Sequence, residues 1–366
     1  MPRQKTSSPK KRGACYRAAI IGTGSIGRAH ASGYVQAGRI DLVACADVDE
    51  PRARQFAEQY GIRTAYTDLR AMLDTERPDI VSVCTWHPFH AEMTIAAAAR
   101  QPKAILCEKP MATSLGEAEE MMIACQRNRV KLAIGFQRRF LPAWCKAKEL
   151  VADGAVGVPK RVSHTRETGL LNATSHGLDC MRYVLGDPKV EWVFGQVERK
   201  TDRYERDVRC EDCVAGFLMF EGGIQGNFQT DLIPGDAAWA FVQGIDGMLD
   251  FDDGWVRYFN ARTRGWKDVP VEKADPMASQ AEELVDWIED RCVHRGQAEN
   301  GLWTMHVMMG VYESARCHEV VRLPLKTRAN PLDLMVESGA LPVERPGRYD
   351  VRSFLLTGEA MRPTRR

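Results

Sequence analysis

Short apolar runs alternate with segments of helical period through the first part of the chain. Ala18–Ile21, Leu42–Ala46, Ile80–Cys84, Ala104–Cys107 and Lys131–Gly135 read as buried strands. Residues 27–36, 50–60, 90–99 and 115–128 between them carry apolar positions at helical spacing. Strands alternating with helices predict an α/β unit, a doubly wound parallel sheet with right-handed crossovers. From about Pro142 the pattern changes. A helix over 143–152 is followed by a half-buried strand over 160–167 and a helix near 175–185. Strand-like runs then follow one another at 192–199, 214–220, 224–231, 238–244 and 248–251, separated by turns such as Glu221-Gly-Gly223. Strands without intervening helices predict an α+β domain with an open, mostly antiparallel sheet, closed by helices over 279–292 and 302–317. Beyond Leu325 periodicity fades, which predicts an extended arm. The expected organisation is a basic tail (1–15), a Rossmann domain (16–140), an α+β substrate and oligomerisation domain (141–325) and the C-terminal arm (326–366).

The first strand runs straight into Gly22-Thr23-Gly24-Ser25-Ile26-Gly27, and a helix starts at once. This order suits a dinucleotide. The first glycine allows a sharp turn, the second lets backbone approach a pyrophosphate, and the third lets helix pack on strand. The phosphates then sit at the positive end of the new helix. The second strand ends at Asp47, where a carboxylate accepts hydrogen bonds from ribose hydroxyls and repels a 2′-phosphate, so NAD is favoured. Arg52 keeps NADP open. Asp47 also reads as the N-cap of the helix that follows.

Composition adds exclusions. The 50 Lys and Arg balance 49 Asp and Glu, a net charge of +1, which points away from nucleic acid and from membrane surfaces. No apolar run is long enough to span a bilayer, and the basic, Ser- and Pro-rich start lacks an apolar signal core. The 11 cysteines lie mostly singly in apolar runs, as thiols in a reducing cytosol do. Cys210-Glu-Asp-Cys213 is the one C-x-x-C, and without a second pair it reads as strand rather than as a metal site.

Ligands of such sheets lie beyond the carboxyl ends of the strands. Three segments occupy those places: Thr85-Trp86-His87-Pro-Phe-His90, Glu108-Lys109-Pro110 and Gly135-Phe-Gln137-Arg138-Arg139. Together with the glycine motif, "AILCEKPMATS", "GFQRRFLP", "SHGLDCMRYVLGDP" and "VYESARCHEVVRLPL", they resemble the glucose–fructose oxidoreductase/inositol dehydrogenase (Gfo/Idh/MocA) family over nearly the whole chain. The resemblance implies a nicotinamide cofactor and a sugar or cyclitol hydroxyl as the reacting group. It places Lys109 beside the nicotinamide ribose and the reacting oxygen, where a point charge steadies a developing alkoxide. Glu108, Thr85 and His90 fall on its cofactor side, and His90 also reads as capping or packing the helix that follows. A cis bond is compatible with Lys109-Pro110.

The resemblance makes His176 the proton-transfer group, and neutral imidazole suits that task near pH 7. The family writes Asp-x-x-x-His here. This chain has Asn172, which hydrogen-bonds substrate but cannot stabilise an imidazolium by charge. Trp86, His87, Gln137 and Arg139 complete the expected substrate contacts. No metal is expected. The resulting expectation is a cytosolic NAD(P)-dependent oxidoreductase of polyhydroxylated substrates, assembled as two or four copies through the C-terminal sheet. Two rivals share the cofactor: an NAD-dependent glycosidase without net redox change, and a cofactor-binding regulator without turnover.

Overall fold

A computed structural model describes residues 15–166, 169–230 and 239–350. The first unit comprises β1 (Tyr16–Ile21), α1 (Ser25–Ala37), β2 (Ile40–Ala46), α2 (Glu50–Tyr60), β3 (Thr64–Tyr66), α3 (Leu69–Glu76), β4 (Ile80–Val83), α4 (His90–Ala98), β5 (Ala104–Cys107), α5 (Leu115–Asn128) and β6 (Lys131–Ile134). Its six strands form one parallel sheet in the order β3-β2-β1-β4-β5-β6. The central strands are apolar on both faces because helices cover both, and Ile20, Val81 and Ile105 are fully buried. Capping sets the helix starts. Ser114 and Glu117 exchange reciprocal bonds that begin α5. The pair β3–α3 is too short for the periodicity to reveal.

The second unit comprises α6 (Pro142–Ala152), β7 (Pro159–Arg166), α7 (Thr174–Val184), β8 (Val190–Glu198), β9 (Thr201–Glu205), β10 (Val208–Arg209), β11 (Cys213–Phe220), β12 (Ile224–Thr230), β13 (Trp239–Gly244), β14 (Gly247–Phe251), β15 (Val256–Asn260), β16 (Lys267–Val269), α8 (Pro276–Ile288), α9 (Ala298–Cys317), β17 (Val321–Arg322), α10 (Pro331–Glu337) and β18 (Arg345–Asp350). Its nine-stranded sheet runs β16-β15-β14-β13-β7-β12-β11-β8-β17. All its pairings are antiparallel except β12 with β7. Helices α7 and α9 pack on one face, where Val193, Val214 and Met308 are buried. On the other, Phe194 and Phe217 are exposed cross-strand partners.

Two features depart from the sequence reading. Helix α8 packs on α1 rather than closing the second domain. Its Ala281, Leu284 and Val285 join the core of Ile20 and Leu42, and Arg39 pairs with Asp286 at 3.0 Å. A Cβ on Gly33 would meet the Met277 backbone at 2.7 Å, so glycine permits this close helix crossing. Periodicity identifies a helix but not its partner. The segment after Leu325 is also more than an arm. It forms α10, started by the Asn330 cap, and β18, which pairs parallel to β9. The basic tail, apart from Cys15, and the last 16 residues lie outside the described residues.

Candidate active site

The glycine turn is built as its residues require. Gly22 has φ +92°, and a Cβ there would meet the Cys84 carbonyl oxygen at 2.6 Å. A Cβ on Gly27 would meet the Gly22 carbonyl oxygen at 2.2 Å, so the third glycine lets α1 sit on the turn. Gly24 differs: its Cβ would meet nothing within 4 Å. Gly24 also caps α1 without a side-chain acceptor, leaving the first-turn N–H groups for an anion. Ser25 is exposed and Ile26 half-buried beside them.

Asp47 anchors this turn. Its Oδ2 accepts from both the backbone N and the Oγ1 of Thr23, each at 2.8 Å, and its Oδ1 accepts from Asp49 N at 3.0 Å. The N-cap of α2 is Asp49, not Asp47, because Asp49 Oδ1 accepts from Arg52 N at 3.1 Å. The same carboxylate holds the Arg52 guanidinium at 3.0 Å. Beyond β4, Thr85 Oγ1 is buried and has no partner among the described residues. An uncapped helix start, a carboxylate at the second strand's tip and an orphaned hydroxyl together fit a dinucleotide laid across these strand ends.

Three residues expected to contact cofactor or substrate are bound to other parts of the protein. The two ring nitrogens of buried His90 lie 2.7 Å from Pro110 O and 3.1 Å from Thr85 O, tying two loops together. Glu108 Oε1 meets His30 Nε2 at 2.9 Å, and its Oε2 accepts from Lys109 N at 3.3 Å. Arg139 is fully buried: it forms a bidentate pair with Asp179 at 2.7 Å, reaches Asp187 at 2.8 Å and donates to Arg295 O at 3.0 Å. All three have their polar atoms committed to protein. These partners come from distant segments, which local pattern does not reveal.

Lys109 stands at the end of β5, and its bond to Pro110 is cis. Its Nζ donates to Asn172 Oδ1 at 2.9 Å and to Asn172 O at 3.1 Å. Asn172 is carried by a π-helical turn, Gly169–Ala173, directly before α7. Burial and the nearby Arg206 guanidinium lower the Lys109 pKa to about 7. His176 lies in the first turn of α7, its ring edge-on to Phe136 at 6.2 Å. Its Nδ1 is buried without a partner among the described residues. Burial, then the charges of Lys109 and Arg138, push its pKa well below the usual histidine value, so the imidazole is neutral.

Residues the sequence reading missed crowd the same place. Arg206, in the turn between β9 and β10, donates to Asn172 Oδ1 at 2.6 Å and lies 3.0 Å from His87 Nε2. Buried Glu205 accepts from Asn172 Nδ2. Arg138 is buried and donates to Asp253 at 2.7 Å. The signal was faint: Glu205-Arg206 sits in a short polar hairpin that reads as surface. Trp86 and Gln137 are half-buried at the same strand ends.

A parallel sheet with a glycine turn, joined to an open sheet that delivers Asn172 and His176 to a strand-end lysine, defines a two-domain dinucleotide-dependent protein. Residues 16–136 match the model of the oxidoreductase family with the NAD-binding Rossmann fold, and residues 160–323 match that family's C-terminal α/β domain. The chain belongs to the Gfo/Idh/MocA oxidoreductase family. It is 32% identical over 282 residues to an inositol 2-dehydrogenase of Rubrobacter xylanophilus, covering 68% of this chain and 80% of that one. To a D-apiose dehydrogenase of Paraburkholderia graminis it is 26% identical, covering 89% and 94%. A levoglucosan dehydrogenase solved with NADH and levoglucosan shares the fold, with TM-score 0.77 at 20% identity over 85% of this chain and 100% of that one.

Proposed function

We propose that this protein is an NAD(P)-dependent oxidoreductase that moves hydride between nicotinamide and a hydroxyl or ketone carbon of a sugar, sugar acid or cyclitol. The observation that carries the proposal is the convergence of the Lys109 ammonium on Asn172, close to the His176 imidazole at the strand ends. Relatives named for inositol, apiose and levoglucosan support the substrate class. The uncapped start of α1, Thr23, Asp47 and Thr85 would hold the cofactor, which when bound supplies the hydride acceptor.

The protein's own work concerns the proton and the oxygen. Lys109 faces the reacting oxygen, and near pH 7 it is poised between ammonium and amine, so the amine can take the hydroxyl proton and the ammonium so formed can steady the developing alkoxide. His176, neutral throughout the physiological range, offers a second acceptor. Asn172 orients the hydroxyl. His87, Trp86 and Gln137 border the sugar. Asp47 favours NAD, since its carboxylate at the tip of the second strand would meet the ribose, while Arg52 is held by Asp49.

Phe194, Phe217 and Trp239 on the open sheet face support assembly with a second copy of the chain, which light scattering checks. No helix among the described residues is long and apolar enough to cross a membrane. Buried thiols such as Cys45, Cys107 and Cys180 support a cytosolic location. Mixing the protein with NAD and a polyol panel tests the main reading: nicotinamide absorbance rises with a substrate of this class, and silence across the panel, with NAD bound, contradicts it.

A further inference from the structure

The turn joining β9 to β10 is built to enter the site. Arg206 and Asp207 both have positive φ, 49° and 67°, a pair of left-handed residues that reverses the chain within two positions. Neither is glycine, so something must hold them there. Asp350 at the end of β18 does so: its Oδ1 accepts from Arg206 N at 3.2 Å and its Oδ2 from Asp207 N at 2.8 Å. The neighbouring Arg348 pairs with Asp207. Thus fixed, the turn grips Asn172 from both sides. Arg206 donates to its Oδ1 at 2.6 Å, and Glu205 accepts from its Nδ2. Glycine at 169, with φ +100°, makes room, since a Cβ there would meet Glu205 Oε2 at 2.9 Å.

We propose that the β9–β10 turn is a third wall of the active site, in which Glu205 and Arg206 are positioning residues that aim the Asn172 amide oxygen at Lys109, and that Asp350 of the C-terminal strand locks in place. A carboxylate at position 172 would attract Lys109 whichever way it faced. An amide must be turned, and these two charges turn it. The proposal rests on Lys109 as the group beside the reacting hydroxyl.

The two charges act on Lys109 in opposite senses. Arg206 and Arg138 disfavour its ammonium, whereas Glu108 and Glu205 favour it; His90 and His176 are the other titratable groups facing it. The test is competitive labelling of the full chain with acetic anhydride across pH, reading the Lys109 peptide by mass spectrometry. The native midpoint is expected near 7. Arg206→Gln should raise it and Glu205→Gln should lower it, each by about one pH unit. Asp350→Asn should raise it like Arg206→Gln, and Arg206→Lys should restore the native value. A midpoint unmoved in every variant, or moved in one direction by both Arg206→Gln and Glu205→Gln, overturns the proposal. Labelling needs no substrate, so it stands or falls apart from the assigned activity.

Discussion

Lys109 Nζ donates to both oxygens of Asn172, the amide Oδ1 at 2.9 Å and the backbone carbonyl at 3.1 Å. Both acceptors are neutral. A carboxylate in that place would hold the ammonium charged, whereas an amide leaves burial and the Arg206 charge to bring its pKa to about 7. The lysine is thereby made available as a base at neutral pH.

Asn172→Asp should reverse this. An anion between Lys109 and Arg206 favours the ammonium, so the Lys109 midpoint rises by about 1–3 pH units. If Lys109 takes the substrate proton, the basic rise in kcat/KM moves up with it and the rate at neutral pH falls. A pH–rate profile measures both.

The two outer glycines and the middle one should part company when each is replaced by alanine. Gly24→Ala has room in the protein, so thermal stability is kept while NAD no longer protects the fold. Gly27→Ala drives a Cβ into the Gly22 carbonyl and lowers stability even without cofactor. Thermal shift with and without NAD separates them. For the native protein, NAD at a hundredfold over Kd should add about 2.7 kcal/mol of stability.

Arg139 belongs to the core. Arg139→Met removes the cation that Asp179 and Asp187 share, leaving Lys148 on Asp187 alone, and should cost about 3–5 kcal/mol in urea unfolding. NAD affinity of the folded fraction should stay native. A large loss of substrate affinity with native stability would instead return Arg139 to the substrate site.

Acid should destabilise the fold before its carboxylates titrate. Burial lowers the pKa of His164 to about 3 and of His294 to about 4. Unfolded histidine takes up a proton near pH 6.5, so below that point the unfolded chain binds more protons and stability falls with pH. Each histidine contributes a slope that grows from about 0.7 kcal/mol per pH unit at pH 6.5 towards about 1.4 near pH 5. His176 and His90, also lowered by burial, add to the same slope, so His164→Asn should reduce the total by about 1.4 kcal/mol per pH unit near pH 5, as read by urea midpoints across that range.

The Rossmann half was legible because each of its signals is local: strand length, glycine spacing and the acid at Asp47. Lys109, Asn172 and His176 were singled out through the family resemblance, and the structure brings Lys109 and Asn172 into contact. What escaped depends on long-range partners. Whether Arg139 or Arg138 is buried turns on Asp179, Asp187 and Asp253, which no window around them contains. Helix α8 carries a clear period, yet its packing on α1 is a matter of topology. Glu205 and Arg206 look like hairpin surface until β18, far along the chain, pins their turn against Asn172.

Lys109 is proposed to handle the reacting oxygen in a nicotinamide-dependent oxidation. The most direct measurement is NADH formation by the native protein and by Lys109→Ala with NAD and the best substrate of an inositol, aldose and anhydrosugar panel. The native enzyme should turn over, and the variant should bind NAD normally while losing at least about 100-fold in kcat. Full turnover by Lys109→Ala would mean that another group handles that oxygen.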